Sequence, residues 1–416
     1  MYSVDIKDVF KNDPKAIMTF RESAKNKVDS LVFPNIGKLN QKHFLPESTN
    51  LKTVLLSKVK QIPTELAKLV TSEDANVVVI QDGNIIYDSL STNYNDVYIN
   101  DFHSAFEERP ELIVDLLSRP HEKQDNQMVA LNSAYFNSGV VIDIPKNLEL
   151  KDNLVLVYLQ KHGDVVHRSL IHTNANSSLT LTEYFLNSSS CYANLVTDVI
   201  MEDGSRVIYS GIDQYDGSSR IYQNTRATMM KATNLHLLKI YLSEANTVGD
   251  IDVLLLGEGG ESTVETVAVA RGTQQVGLNI NTNNAAKRTS AQINNHGVVH
   301  DRAKLLFNAI GKVEKGCVGS NAYQKTRGII LSDTAEINAN PYLIIDEFDV
   351  EGAGHAATIG RFNEEDIHYM MSRGVPRSEA ETMVINGFIK PVVEEIPNQK
   401  MQDYVYGVLK EKLGTK

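Results

Sequence analysis

The sequence predicts a mainly β protein whose long central core is flanked by helical segments. Three observations predict this class. Beyond about residue 128, short extended runs alternate apolar and polar residues with period two, which is typical of strands. The chain contains 35 asparagines, a residue that tolerates the backbone conformations of tight corners. A helical period of apolar residues returns only in the last part of the chain.

Residues 1–127 are predicted to form a mostly helical N-terminal domain. Asn12-Asp13-Pro14 precedes a run that resembles a capped helix with proline near its start. Two apolar runs flank Asp82-Gly83, and Asp-Gly favours a two-residue turn, so a β-hairpin is expected there. A further helix is predicted from Asn100 to Ser118, interrupted or restarted at Pro110.

Residues 128–357 are predicted to form the β core. Period-two alternation is clearest at Ser178–Thr182, and corners are expected at Asp203-Gly204 and at Gly257-Glu258-Gly259-Gly260. Sandwiches and barrels of this length exist, and a solenoid with corners turned by asparagine and glycine also fits. The spacing of the runs is too irregular to assign a repeat, so the architecture stays open on internal grounds.

Residues 358–416 are predicted to form a C-terminal helical domain. Asn363 precedes three acidic residues, which is typical of a helix start, and Arg373-Gly374 is typical of a helix end. A second helix is expected from about Pro376, kinked or restarted at Pro391, and an amphipathic helix from residue 398 to 413. Because such helices bury only one stripe, we expect them to pack on the β core or on a partner.

Composition excludes several classes of protein. A length of 416 residues suggests two to three folding units. The net charge of −11 argues against nucleic-acid binding, and no apolar run approaches the roughly 20 residues that span a bilayer. Cys191 and Cys317, the two cysteines, indicate a reducing compartment such as the cytoplasm, and each is expected to be a small buried hydrophobic residue.

Motifs for catalysis are absent from the sequence. There is no G-x-x-x-x-G-K-[ST], G-x-S-x-G, H-E-x-x-H or C-x-x-C pattern. Gly257-Glu258-Gly259-Gly260 lacks the spacing of a dinucleotide-binding loop and is better explained as a β-turn. No enzyme class is therefore indicated.

The histidines offer few candidate metal ligands. His162, His167 and His172 recur every five residues, and an odd spacing places strand neighbours on opposite faces, so no shared site is expected. His296 and His300 are predicted to lie in a polar turn. His355 lies among small residues, where the β pattern gives way to helices, and composition alone favours a structural role for it.

Several motifs between residues 306 and 397 follow one another in a characteristic order. They are Leu306-Phe307-Asn308, Asn321-Ala322-Tyr323-Gln324, Leu331-Ser332-Asp333, Asp349–Gly360, Tyr369–Val375 and Asn386-Gly387-Phe388, with Phe136–Val140 upstream. In these motifs the sequence resembles the SufB/SufD family of iron–sulfur cluster assembly scaffolds. The resemblance covers most of the chain from about residue 130.

The resemblance implies a right-handed parallel β-helix core between the two helical domains. It also implies a non-catalytic subunit that pairs with SufB through the β-helix and docks the ATPase SufC through its C-terminal helices. The absent P-loop agrees with an ATPase on a separate chain. No cofactor is expected to bind stably to the chain alone, whereas a transient Fe–S cluster would form in the complex. Without SufB, open sheet edges would permit a homodimer.

The resemblance changes the interpretation of His355. This residue matches a family histidine at the interface with SufB, where it is a candidate ligand of the nascent cluster, and neutral imidazole is a reasonable iron ligand. Some family members have a cysteine two residues earlier, but this chain has Ala353 there. Fe–S clusters are held mainly by thiolates, so the partner would supply them, which argues against a SufB-type chain. Glu351 could assist, although an exposed acid is the simpler interpretation.

Two other classes of function remain as alternatives. A β-helix enzyme that acts on carbohydrate would need acidic residues on consecutive coils of one face, and none are evident. A metalloprotein that assembles a stable cluster by itself is the third interpretation.

Overall fold

A computed structural model describes residues 5–45, 50–51, 54–71, 74, 76–119, 125–361 and 363–413. Its core is a parallel β-helix in which the chain passes alternately through two sheets. Helices lie before and after this core. The predicted class, a mainly β solenoid with helical flanks, is confirmed, and the sandwich and barrel alternatives are excluded.

The strands follow one another along the chain with short corners between them. They are β1 (Val77–Gln81), β2 (Asn84–Ser89), β3 (Tyr98–Asp101), β4 (Ser138–Ile144), β5 (Glu149–Gln160), β6 (Val165–Thr173), β7 (Ser178–Asn187), β8 (Tyr192–Met201), β9 (Arg206–Gln214), β10 (Arg220–Met229), β11 (Asn234–Tyr241), β12 (Asn246–Leu255), β13 (Glu261–Ala270), β14 (Gln275–Asn284), β15 (Ser290–Val299), β16 (Lys304–Val313), β17 (Asn321–Ile330), β18 (Glu336–Ile345) and β19 (Gly352–Arg361).

The helices flank these strands. They are α1 (Ile6–Val9), α2 (Lys15–Lys27), α3 (Phe102–Glu108), α4 (Pro110–Ser118), α5 (Gln127–Tyr135), α6 (Glu364–Ser372), α7 (Arg377–Val393) and α8 (Gln399–Lys412). In the described part of the chain, no helix combines the length and hydropathy needed to cross a membrane.

Odd-numbered strands from β5 to β19 form one sheet, and even-numbered strands from β4 to β18 form the other. Neighbours within each of these series are parallel. Hydrogen-bonded side chains at matching positions of adjacent coils lie, for example, 28, 29, 31 or 32 residues apart. This variation in coil length explains why no fixed repeat is evident in the sequence. Corner residues such as Asn176 and Gly204 have positive φ, as the asparagine and glycine pattern predicts.

Residues 77–101 cover the edges of the first coils. The predicted hairpin is confirmed, because β1 and β2 are antiparallel and the turn residues Asp82 and Gly83 have positive φ. β1 also pairs with β5, and β3 pairs antiparallel with β4. The N-terminal region therefore contains strands of the two sheets as well as helices.

Three hydrophobic clusters hold the molecule together. The first fills the lumen of the β-helix with inward-facing residues of both sheets. The second joins the N-terminal helices to the outer face of the even-numbered sheet, and the third joins α7 and α8 to the outer face of the odd-numbered sheet. Burial of one apolar stripe on each helix is the main driving force for this packing.

The C-terminal helices begin and end as their sequence predicts. Asn363 accepts a hydrogen bond from the Glu365 backbone N–H at the start of α6, and Gly374 follows its end with φ of 88°. α7 continues through Pro391 to Val393. The predicted domain boundaries at 127/128 and 357/358 fall within α5 and within β19, respectively.

Candidate functional site

The last coil leaves the β-helix open at one end. Among the described strands, β18 pairs only with β16 and β19 pairs only with β17, so each ends its sheet. The outer edge of a terminal strand presents backbone N–H and C=O groups that can pair with another chain. Several large apolar side chains on or near this end are exposed. They are Tyr323, Tyr342, Ile344 and Phe348.

His355 lies on β19 at the mouth of the lumen. It is in register with Gln324, which is in register with Ile293 on the preceding strand. Ile293 belongs to the hydrophobic cluster of the lumen, so the side chains of this row point into the β-helix. His355 is exposed because no further coil follows it. The structure therefore places the candidate ligand at the interior opening of the solenoid.

Gln324 is a neighbour of His355 that the sequence did not single out. Its side chain crosses the lumen, and Nε2 donates a hydrogen bond to the Tyr342 carbonyl at 2.7 Å. Gly311 makes room for this amide, because a Cβ at that position would lie 2.8 Å from Nε2. Oε1 is buried and has no hydrogen-bond partner among the described residues.

Small residues of β19 are covered by an aromatic ring of the same chain. The Tyr323 ring lies over Gly352 and Gly354, and a Cβ at Gly352 would be 2.1 Å from the phenolic oxygen. The small residues near His355 therefore make room for the Tyr323 ring.

Glu351 does not join His355. It lies in the corner before β19, where it is exposed and accepts a hydrogen bond from Asn321 Nδ2 at 3.0 Å. This agrees with the simpler of the two interpretations of its sequence position.

Both cysteines are buried, as expected. Burial raises the pKa of the Cys191 thiol to about 12, which keeps it protonated near neutral pH. Cys317 packs with Val313 and Ala322 at the open end of the solenoid, and burial also raises its pKa. Cys317 lies in the corner before β17, whereas His355 lies within a strand, so they do not form a common ligand set.

The remaining histidines lie apart from one another. His167 is buried inside the lumen, where desolvation lowers its pKa to about 3, while His162 is exposed beside Asp82. The prediction that His296 lies in a turn is wrong, because it belongs to β15 and its ring contacts Phe388 of α7 edge-on. Within the described ranges, no three His, Cys, Asp or Glu side chains meet in a way that could hold a metal ion.

Sequence patterns did not reveal the buried charges. Asp198, on the outer face of the even-numbered sheet, accepts hydrogen bonds from Nε of both Arg168 and Arg226 at 2.7 Å. Inside the lumen, Glu183 accepts from the hydroxyls of Tyr158 and Tyr209 at 2.6 and 2.7 Å. The partners in each group are 25 to 30 positions apart on separate strands, so only the register of the coils brings them together.

A second group of carboxylates lies between the N-terminal segment and the even-numbered sheet. Asp250 and Asp252 border a cavity of about 220 Å³, and burial together with their mutual repulsion raises the pKa of Asp250 to about 7. Asn279 Nδ2 donates to Asp250 at 2.7 Å, and Asn281 Nδ2 donates to Asp252 at 2.8 Å. Both acids lie on one strand, unlike the acids on consecutive coils that the carbohydrate-active alternative requires.

The C-terminal helices expose a second apolar surface. Tyr369 and Met371 on α6 and Met383 on α7 are exposed, while the buried residues of α7 face the β-helix. Exposed large apolar side chains that cluster on a surface are typical of protein contacts.

Similarities to known proteins agree with this geometry. Residues 157–388 match a family model described as the SufBD core domain of SUF system FeS cluster assembly. The chain is 31% identical over 369 residues to the iron–sulfur cluster assembly protein SufD of Bacillus subtilis, with 86% of this chain and 84% of that protein covered. It is 24% identical over 323 residues to an iron–sulfur cluster assembly SufBD family protein of Staphylococcus saprophyticus, with 75% and 69% covered.

Proposed function

The chain belongs to the SufB/SufD family of iron–sulfur cluster assembly proteins, and we propose that it is a non-catalytic SufD-type scaffold subunit. It pairs with SufB through the open end of the β-helix and docks the ATPase SufC through its C-terminal helices. The nascent Fe–S cluster is the cargo of the complex, and His355 helps to hold it at the interface with SufB.

The observation that carries this proposal is the open end itself. Two unpaired strand edges, exposed apolar side chains and a lumen-facing histidine lie together on one coil. A partner strand that pairs with β18 or β19 would satisfy the open edge and cover the apolar side chains. His355 would then lie at the contact between the chains, where thiolates from SufB can reach the same cluster.

Pairing is tested by placing a charge on the open end. Ile344→Glu, at a position that is 44% exposed, should prevent co-purification with SufB. Ile208→Glu is the matched control, because Ile208 is 42% exposed on β9, away from the open end. Retention of SufB by Ile344→Glu, or equal loss in both variants, would refute pairing through this end.

ATPase docking is tested at the surface formed by α6 and α7. Met383→Glu should release SufC and leave SufB bound, whereas Glu411→Lys on the exposed part of α8 should release neither. Point variants are preferable to truncation, because removal of α7 and α8 would uncover the third hydrophobic cluster. If Met383→Glu keeps SufC, docking through this surface is wrong.

When SufB is absent, this chain could instead form a homodimer. The same open edges could pair two copies of this chain. In that case Ile344→Glu should also convert an isolated dimer to a monomer, as measured by light scattering.

A further inference from the structure

We propose that the corner between β18 and β19 is a docking element for the partner chain. This corner comprises residues 346–351 and is called the acidic corner below. Phe348 enters an apolar pocket of the partner, and lysine or arginine side chains border that pocket. The inference rests on the proposed function in one respect, which is that the partner at the open end is SufB.

The acidic corner carries four carboxylates in six residues. Asp346, Asp349 and Glu351 are exposed, and Glu347 lies among them. None of the four forms an ion pair with a described residue, whereas acids elsewhere on the same coil do. Lys315 adds only a minor attraction to Glu347. The corner is therefore a negative surface, which favours a partner with basic side chains.

Phe348 is the apolar residue that this corner presents to solvent, and it is 100% exposed. Val350 instead packs against the cluster of Val313, Cys317 and Ala322, and this contact holds the corner to the preceding coil. The Phe348 ring therefore contributes nothing to the packing of the fold. Aromatic side chains are enriched at the centre of protein interfaces, so the ring is suited to anchor a partner.

Hydrogen bonds fix the backbone on both sides of Phe348. Glu347 Oε1 accepts from the backbone N–H of Phe348 at 2.8 Å and from that of Asp349 at 3.0 Å. Glu347 Oε2 accepts from the Gly316 N–H at 2.7 Å, and the Gly319 N–H donates to the Asp349 carbonyl at 2.7 Å. Because this backbone is ordered before binding, docking costs mainly the rotational freedom of the ring.

The acidic corner is continuous with the open edges of the two sheets. β18 ends at Ile345 and β19 begins at Gly352, and each is the terminal strand of its sheet among the described strands. A chain that pairs with either edge therefore approaches the corner as well. A second copy of this chain is a poorer occupant, because its own open end carries the same four carboxylates and like charges oppose the contact.

Burial of the Phe348 ring is tested by ¹⁹F NMR of the full chain. The twelve phenylalanines are replaced by 4-fluorophenylalanine in this chain alone, and the Phe348 resonance is assigned by its loss in Phe348→Ala. Addition of unlabelled SufB should shift this resonance and remove its difference between H2O and D2O, because the pocket excludes water. The resonances of buried rings such as Phe185 serve as the internal control and should not change.

Each other outcome of this experiment contradicts the proposal. If SufB binds and the Phe348 resonance stays as it is in the free chain, the docking element is refuted while pairing with SufB stands. If SufB does not bind the wild type, both the proposed function and the docking of Phe348 fail. A change of the resonance with concentration in the isolated chain would show that a second copy occupies the corner instead.

The anchor role is tested by the affinity for SufB. Phe348→Ala should raise the Kd at least about 10-fold and leave the unfolding midpoint unchanged. Ile208→Ala, at a position that is 42% exposed on β9, is the matched control and should leave the Kd unchanged. An unchanged Kd in Phe348→Ala, or an equal rise in both variants, would overturn the role of Phe348.

The basic character of the pocket is tested by association kinetics. Asp346→Asn combined with Asp349→Asn should slow association with SufB and weaken its dependence on salt concentration. Asp8→Asn combined with Asp29→Asn makes the same change of charge at exposed positions of the N-terminal region and should leave the rate unchanged. An equal or faster rate in the corner variant would refute a basic border around the pocket.

Discussion

The first coils and the last coil of the β-helix use the same repeating unit but are covered in different ways. β1, β2 and β3 close the edges of the first coils, and helices cover both outer faces. In this part the buried Asp198 is paired with two arginines. Among the described strands, the last coil has two open edges. The difference teaches that stability resides in the covered coils and that the open coil is available for binding.

The largest effect is expected from breaking the buried charge pair in the covered part. Asp198→Ala would leave the buried Arg168 guanidinium without this carboxylate, while Arg226 would keep only its ion pair with Asp125. Removing one partner of a buried ion pair typically costs about 3–5 kcal/mol of the free energy of unfolding. Urea denaturation followed by circular dichroism measures this change. Asp333→Ala removes the exposed partner of Arg361 and should leave the midpoint unchanged. Equal effects of the two variants would contradict the comparison.

A smaller effect, dependent on pH, is expected where α7 meets the odd-numbered sheet. Burial raises the pKa of Glu265 from 4.5 to about 7, and repulsion from Glu395 acts in the same direction, whereas the hydrogen bond from Asn294 lowers the pKa. The folded protein therefore binds more protons than the unfolded chain between pH 4.5 and 7, so the Glu265 contribution to stability falls as pH rises through this window.

Glu265→Gln should remove this pH dependence. The variant keeps an oxygen that can accept from Asn294 and should be more stable than the wild type by about 3 kcal/mol above pH 7. At pH 4 the two proteins should unfold at the same urea concentration. A constant difference across the pH range would show that Glu265 acts through packing instead.

The smallest effect on stability is expected at the open end. His355 is exposed, so His355→Ala should not move the unfolding midpoint, although the proposed function predicts slower cluster assembly in the complex. His43→Ala, at an exposed histidine of the N-terminal segment, should change neither property. A large loss of stability in His355→Ala would remove the distinction between the covered coils and the open coil.

Local features of the fold could be predicted from sequence because they depend on neighbouring residues. Asp82-Gly83 turns a hairpin, and Asn363 caps α6, through bonds and dihedral angles within a few positions. The prediction that His296 lies in a turn was wrong because its conformation depends on strands that are distant in the sequence. Its asparagine and glycine neighbours are typical of a turn, but pairing with β13 and β17 holds it in a strand.

The sequence by itself determined the mainly β class, the helical flanks and the family, and it singled out His355 as a candidate ligand. These conclusions depend on periodicity, on caps and on ordered motifs that can be seen along the chain. Only the tertiary structure decided that His355 faces the lumen beside Gln324 and that Asp198 bridges two arginines. Such contacts join residues about one coil apart, and the coil length varies with each corner. A corner that is one residue longer or shorter would turn the inward side chains of the next strand outward. The register of the coils therefore had to be observed in the structure.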